Sequence, residues 1–295
     1  LRWTREKRDF LYDAVLEEPD FTVPLFTQTD SLDDEDLSGR LALDYALSDQ
    51  ARIYGSISKG FKAGGFNGGF LFQPTPTISY GPETVIAYEV GMKGDYLDRS
   101  LRLNVAGFYY DYSDMQVFSF INTGGLPTQV LTNAADAVIY GMEAELDWQV
   151  TDRFGLRFGL GLLDTELKDY QSAAGDDLSG NKLPQAPDYS LVGMTFYDIP
   201  LSNGAKVSLQ ADFSYQDDIF LLNDNNPILA QDGYGTVNAR IAYKSQGESF
   251  EVAAWGRNLA DEGYLVSGFD LADFGLYQLM RGSPRTYGLE VTIRF

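Results

Sequence analysis

An all-β, antiparallel transmembrane barrel is the fold this sequence predicts, on three observations. Hydrophobic and polar residues alternate with period two in about twelve segments. The connections between these segments alternate short and long, and no window approaches the ~18 uninterrupted apolar residues of a membrane helix. A barrel crosses lipid with strands, leaves no unpaired backbone edge, and joins short turns on one side to long loops on the other.

Taken in order, Leu1 to Lys7 reads as a strand cut short at its start, and Leu41 to Leu47, Ala51 to Phe61, Tyr88 to Tyr96 and Leu101 to Tyr112 follow. Tyr140, Met142, Ala144, Leu146, Trp148 and Val150 then alternate with a face that carries Glu143, Glu145 and Asp147. Phe154 to Leu162 alternates with Gly155, Arg157, Gly159 and Gly161, while Tyr189 to Tyr197 is less regular because Val192, Met194 and Phe196 fall on its expected wet face. The cleanest segment sets Val207, Leu209, Ala211, Phe213 and Tyr215 against Ser208, Gln210, Asp212, Ser214 and Gln216. Val237 to Tyr243 and Tyr287 to Phe295 complete the series.

Short connections fall at Ser48 to Gln50, Leu97 to Ser100, Thr151 to Arg153, Pro200 to Ala205 and Ser245 to Glu248. Long ones fall at Asp9 to Asp36, Ala63 to Gly81, Val117 to Asp136, Asp169 to Ala186, Asp218 to Asp232 and Asp261 to Gly282. Tyrosine and phenylalanine, 19 of each, gather near segment ends, as aromatic girdles at two membrane interfaces do. The whole of 1–295 reads as a single barrel region.

Composition narrows the function. With neither cysteine nor histidine, the chain offers no disulfide, no thiolate or imidazole metal site and no serine–histidine triad. The histidine-dependent barrel hydrolases of outer membranes are excluded, and no enzyme active site is expected. A net charge of -21 opposes binding to nucleic acid phosphates. The chain opens at Leu1 without a leader pattern, so a mature or truncated product is expected. A terminal strand closing on Phe295 resembles the signal by which the barrel assembly machinery of the outer membrane recognises its substrates.

Five stretches, in order along the chain, resemble the barrel of TonB-dependent receptors, the active importers of ferric siderophores, cobalamin and other scarce nutrients. They are Ser58 to Asn67 with its Ala63-Gly64-Gly65-Phe66 core; Pro82-Glu83 with Tyr88 to Lys93; Asn104, Phe108 to Tyr112 and Gln116; Asn133-Ala134-Ala135 with Gly141 to Glu145; and Arg257 to Tyr264. Ala260 stands where the family often has threonine. The resemblance implies energy-coupled uptake, with a ferric siderophore or similar metal chelate as ligand and no cofactor. It also implies partners: outer-membrane lipid and lipopolysaccharide, a plug domain of about 150 residues in the full-length chain, and the TonB complex that the plug contacts. A barrel of that family has twenty-two strands, so about twelve here implies a fragment whose signal, plug and first strands lie upstream. The alternatives are a self-contained twelve-stranded passive porin or oligosaccharide channel, and a soluble β-sandwich or adhesin module that buries its apolar stripes between two sheets.

Aromatic residues in the long connections suit flat or apolar ligand surfaces: Tyr12, Phe21 and Phe26 in the first, Phe66, Phe70 and Phe72 in the second, and Phe220 with Asn223 in the fifth. Packing between loops is the competing reading. The first connection is rich in carboxylates and has no basic residue, and Asp33-Asp34-Glu35-Asp36 could offer oxygen ligands to a divalent cation, though the spacing of a calcium loop is missing. Glu89, Lys93, Arg102, Glu143, Glu145, Arg157, Arg240 and Lys244 are expected on the polar, lumen face, with mixed signs that suit ion pairing between strands or contacts to a plug.

Overall fold

The computed structural model describes residues 1–18, 21–68, 79–123, 126–172, 175–272 and 275–294. Eighteen strands are present among them: β1 Arg2–Glu18, β2 Phe21–Ala46, β3 Ala51–Lys62, β4 Gly65–Phe66, β5 Ser79–Tyr80, β6 Glu83–Tyr96, β7 Leu101–Thr123, β8 Leu126–Thr151 and β9 Phe154–Tyr170, then β10 Tyr189–Pro200, β11 Lys206–Gln216, β12 Ile219–Phe220, β13 Ala230–Gln231, β14 Tyr234–Lys244, β15 Phe250–Arg257, β16 Leu265–Leu271, β17 Leu276–Arg281 and β18 Thr286–Ile293. Twelve of them form one antiparallel sheet in the order β1-β2-β3-β6-β7-β8-β9-β10-β11-β14-β15-β18, and the remaining six pair as β4–β5, β12–β13 and β16–β17. A single sheet removes the two-sheet sandwich from consideration. Among the described residues no ladder joins β1 to β18, so these two strands are the edges of the sheet.

The register explains the period-two pattern. Ile53 lies opposite Met92 and Ile57 opposite Tyr88, while Tyr54 lies opposite Gly91 and Ser56 opposite Glu89, so apolar and polar positions segregate to opposite faces strand after strand. The apolar face is uncovered: Leu43 is 75% exposed, Val90 66% and Ile241 50%. In water such a surface would aggregate, whereas in lipid it is the outer wall of a barrel. Aromatic rings mark both ends of this face. Tyr88, Tyr109 and Tyr140 follow one another across β6, β7 and β8 with centroids 6.3 Å apart, and Phe154 meets Tyr197 edge-on at 6.2 Å near the short turns. Tyr189 and Tyr197 on β10 are eight residues apart, roughly 26 Å along the strand, the scale of an apolar membrane band.

Strand β10 is regular despite its pattern. Val192, Met194 and Phe196 do occupy the polar face, and glycines on β9 make room for them: a Cβ at Gly155 would run into the Phe196 ring, and one at Gly159 would meet Val192 at 2.7 Å.

Two of the expected loops instead continue the sheet as strand, and a third, Asp261 to Gly282, folds largely into the β16–β17 pair. β1 and β2 stay paired from Arg2–Ser38 to Glu18–Phe21, with one irregularity at Ala14/Val15, so most of Asp9 to Asp36 is a ribbon. Likewise β7 and β8 stay paired out to Thr123–Leu126, across Val117 to Asp136. The cause is physical: beyond the girdle neither face of a ribbon touches lipid, so polar residues occupy both faces and the alternation vanishes while the backbone ladder continues. Leu1 to Lys7 is correspondingly only the root of a 17-residue strand.

Candidate functional site

The long connections form a packed structure beyond the girdle. Val117, Ala135, Ala137, Leu167 and Tyr170 bury one another, and Leu178 and Leu183 close over them. Ile219, Leu221 and Leu229 make a second small core with Leu265 and Tyr277.

Between the β1–β2 and β7–β8 ribbons lies the connection that follows β3. Gly64 is gripped from the first ribbon: its amide donates to Asp34 Oδ2 at 3.1 Å, and its carbonyl accepts from Arg8 Nη1, whose guanidinium also pairs with Glu6 at 2.7 Å. A Cβ at this position would sit 2.5 Å from the Tyr80 carbonyl oxygen and 3.0 Å from Asp34, so only glycine fits. The second ribbon holds the other side. Gln116 Nε2 donates to the carbonyls of Ala63 and Gly81 at 3.0 Å, and its amide donates to Glu83 at 2.7 Å. Asn133 donates to the carbonyls of Gly81 at 2.9 Å and Asp114 at 2.8 Å and accepts from the Gly81 amide at 2.5 Å. Asn67 completes a two-way bond with the Leu131 backbone, at 2.8 and 2.7 Å. Irregular backbone is thus satisfied by side chains from both neighbours, as buried backbone groups must be.

Along this frame runs a row of rings. Phe66 stacks on Phe10 at 4.9 Å and 17°, Phe10 on Tyr12 at 6.4 Å and 13°, and Tyr12 on Phe26 at 5.8 Å and 27°. Register produces it: Phe10 faces Asp30, Tyr12 faces Gln28 and Ala14 faces Phe26, which places the three rings on one face of the ribbon. Tyr12, Phe26 and Phe66 therefore come together, with Phe10 as a fourth member that the sequence reading missed. Its signal was present, since Phe10 and Tyr12 are two apart in a strand and share a face.

The other candidates lie elsewhere. Phe220 belongs to the β12–β13 pair, where its carbonyl accepts from the Gln185 amide at 2.8 Å, and the Asn223 carbonyl accepts from Asn181 at 2.9 Å. Both residues join two connections and do not reach the aromatic row. The Phe21 backbone pairs with Glu18, but its side chain, like Phe70, Phe72 and Phe295, lies outside the described residues.

The acidic stretch of the first connection does not converge. Strand alternation sends Asp33 and Glu35 to Arg5, at 2.7 and 3.3 Å, and sends Asp34 and Asp36 to the other face, against Gly64 and Lys59. No cluster of three carboxylates suited to a metal occurs among the described residues. Asp33 lies eight residues along β2 from Leu41, well beyond the girdle. The Arg5 hydrogen bond, with Lys7 behind it, holds its carboxyl down at about 2 from the ordinary 3.8. A depressed carboxylate stabilises above its unfolded pKa, so these pairs are complete above about pH 4 and are lost as pH falls towards 2. Amide protection factors around Arg5 to Lys7 and Asp33 to Glu35 are expected to drop between pH 5 and pH 2 while those of β7–β8 hold, and unchanged factors would show that the pairs do not matter.

On the polar face, Arg102 pairs with Asp95 at 2.8 Å, Arg157 with Asp147 at 3.3 Å and Arg240 with Glu251 at 2.6 Å, while Lys93 lies over the Tyr54 ring at 5.6 Å. A cavity of about 700 Å³ opens beside them, walled by Arg102, Glu145, Asp147, Arg157, Val192 and Met194.

A family model described as "TonB dependent receptor-like, beta-barrel" matches residues 1–259. The pesticin receptor of Yersinia pestis is 27% identical over 275 residues, which are 92% of this chain and 38% of the receptor. Among solved structures, the ferric yersiniabactin uptake receptor of Yersinia pestis superimposes with a TM-score of 0.80 at 21% identity, over 99% of this chain and 42% of that one. The siderophore receptor PiuA of Acinetobacter baumannii gives 0.75 at 18% identity, over 98% of this chain and 39% of that one. The chain thus spans about two fifths of the length of the receptors it resembles.

Proposed function

Since the chain belongs to the TonB-dependent receptor-like β-barrel family, we propose that it forms part of the wall and mouth of an outer-membrane receptor for energy-coupled uptake of a ferric siderophore or similar metal chelate. Family membership weighs against the self-contained passive channel. The aromatic row carries the reading: four rings, Phe10, Tyr12 and Phe26 on the β1–β2 ribbon and Phe66 on the connection after β3, lie at the end of the sheet where the long connections gather and offer a flat surface for a ring-bearing ligand. The chemistry is binding and release, with no bond made or broken. In this reading a plug domain fills the lumen against the Arg102, Arg157 and Arg240 pairs, the TonB complex acts through that plug, and the apolar face meets outer-membrane lipid and lipopolysaccharide after delivery by the barrel assembly machinery.

Titration of the intact receptor with a panel of ferric hydroxamate, phenolate and catecholate chelates, read by tryptophan fluorescence, tests this. Phe10→Ala and Phe66→Ala should each raise the Kd of the chelate that binds by about tenfold, corresponding to about 1.4 kcal/mol, without shifting the thermal midpoint much. Binding indifferent to both substitutions would remove the row from the site.

A further inference from the structure

Charge is distributed unevenly along this chain. The six long connections, 9–36, 63–81, 117–136, 169–186, 218–232 and 261–282, hold 21 of its 43 carboxylates and only two of its 22 basic side chains, Lys182 and Arg281. They carry a net -19 of the total -21, so the rest of the chain is close to neutral; Arg5 and Lys7, across the ribbon from Glu35 and Asp33, offset only a small part of it. All six connections lie at the same end of the sheet, the end that bears the aromatic row. The face of the row follows the same rule. Phe10 sits opposite Asp30, with Glu6 and Asp34 further down the same face. Arg8, the basic residue next to Phe10 on that face of β1, is already engaged by Glu6 and the Gly64 carbonyl, and Arg2 lies at the far end of the strand, opposite Ser38.

We propose that the chelate taken by this mouth is ring-bearing and neutral or cationic, and that the acidic connections turn anionic chelates away. The inference rests on the uptake reading above and narrows its ligand. A one-signed rim focuses its field into the opening and lowers the local concentration of like-charged solutes, and Arg8, two residues from Phe10 on the same face, is held by Glu6 and the Gly64 carbonyl and not turned to a ligand. The rings themselves favour the opposite choice: aromatic faces stack on neutral rings and attract cations. Complexes such as ferric tris-catecholate, with three negative charges, are therefore poor ligands here.

Two measurements on the intact receptor in detergent test this, each in low salt and in about 0.5 M salt, where the screening length falls to a few ångströms. The first compares binding of ferric tris(maltolate), which is neutral, a ferric tris(hydroxypyridinone) carrying one free ammonium group, and ferric tris-catecholate. The first two should bind at least about tenfold more tightly than the third in low salt, with the gap narrowing in high salt. The second uses the absence of cysteine from this chain: a fluorophore on Ala14→Cys, beside Tyr12 and Phe26, is quenched by anionic iodide, neutral acrylamide or a cationic pyridinium. Iodide should be the weakest quencher of the three in low salt, and salt should restore it.

Tris-catecholate binding as tightly as the neutral complex in low salt overturns the proposal, as does iodide quenching equal to acrylamide. Failure of every chelate to bind, with the quenching asymmetry intact, overturns the uptake reading and the ligand class with it.

Discussion

Asn133→Ala is expected to unfasten the connection between β3 and β6 while the sheet persists. The side chain bonds the Gly81 amide at 2.5 Å, the Gly81 carbonyl at 2.9 Å and the Asp114 carbonyl at 2.8 Å, backbone groups that no strand ladder serves. Alanine leaves the Gly81 amide and the Asp114 carbonyl without their partner and leaves the Gly81 carbonyl to Gln116 alone, at roughly 1–3 kcal/mol for each group that water cannot reach, or about 3 kcal/mol in all. Tyr80 and Gly81 then lose their anchor on the β7–β8 ribbon, and Phe66, paired through β4 to β5, loses its seat against Phe10. Hydrogen exchange should accelerate at Phe66 and Gly81 by about a hundredfold while amides at the centre of β6 and β7 stay protected. Asn133→Asp keeps the acceptor for the Gly81 amide but sets a carboxylate oxygen against the Gly81 and Asp114 carbonyls, so it should protect the connection no better than alanine. Exchange that Asn133→Ala leaves untouched would mean that Gln116 alone holds the connection.

Removing the Arg240 guanidinium should have the largest effect on the sheet itself. It lies 2.6 Å from Glu251, whose side chain is only 7% exposed, and 3.6 Å from Glu290, so one cation on β14 ties together carboxylates on β15 and β18. Arg294 reaches Glu251 only at 3.8 Å and cannot replace it. Arg240→Met leaves the Glu251 carboxylate with Arg294 alone and facing Glu290, which costs about 2–3 kcal/mol, below the value for a fully buried pair because Glu290 and Arg294 are half exposed. Removing both members as Arg240→Met with Glu251→Met replaces the pair by apolar groups of similar length and should recover most of that loss. Thermal unfolding of the intact receptor in detergent reads both variants. A double variant no more stable than the single one would show that the arginine acts through packing.

How much of this was legible before the structure depended on what enforces the pattern. Where lipid touches one face, as from Val207 to Tyr215, alternation is enforced and the strand can be read residue by residue. Beyond the girdle nothing enforces it, which is why Asp9 to Asp36 and Val117 to Asp136 read as loops although both are paired ribbon. Strand β10 was obscured for another reason: Val192 and Phe196 face the polar side because Gly159 and Gly155 across the ladder leave space for them, a two-strand fact that one strand cannot show.

The candidate site divides along similar lines. That Tyr12, Phe26 and Phe66 are aromatic residues in long connections is visible in the sequence. That they form one row depends on a register in which Ala14 meets Phe26, and on the Asp34 and Arg8 grip that brings Gly64 and Phe66 beneath Phe10. Phe10 itself escaped notice because it lies at the boundary drawn for the first connection. The acidic run Asp33 to Asp36 misled in the opposite sense, since adjacent carboxylates in a strand point to opposite faces and cannot share one ion.

Accumulation of radioactive iron in whole cells separates energy-coupled uptake from passive entry. Cells carrying the intact receptor would be supplied with the chelate that binds best in the fluorescence titration, with the inner membrane energised or de-energised by a protonophore, and with TonB present or deleted. Accumulation that requires both the energised membrane and TonB, and that falls in Phe10→Ala, is the predicted result. Equal accumulation in de-energised or TonB-deleted cells would contradict it and make the protein a passive channel.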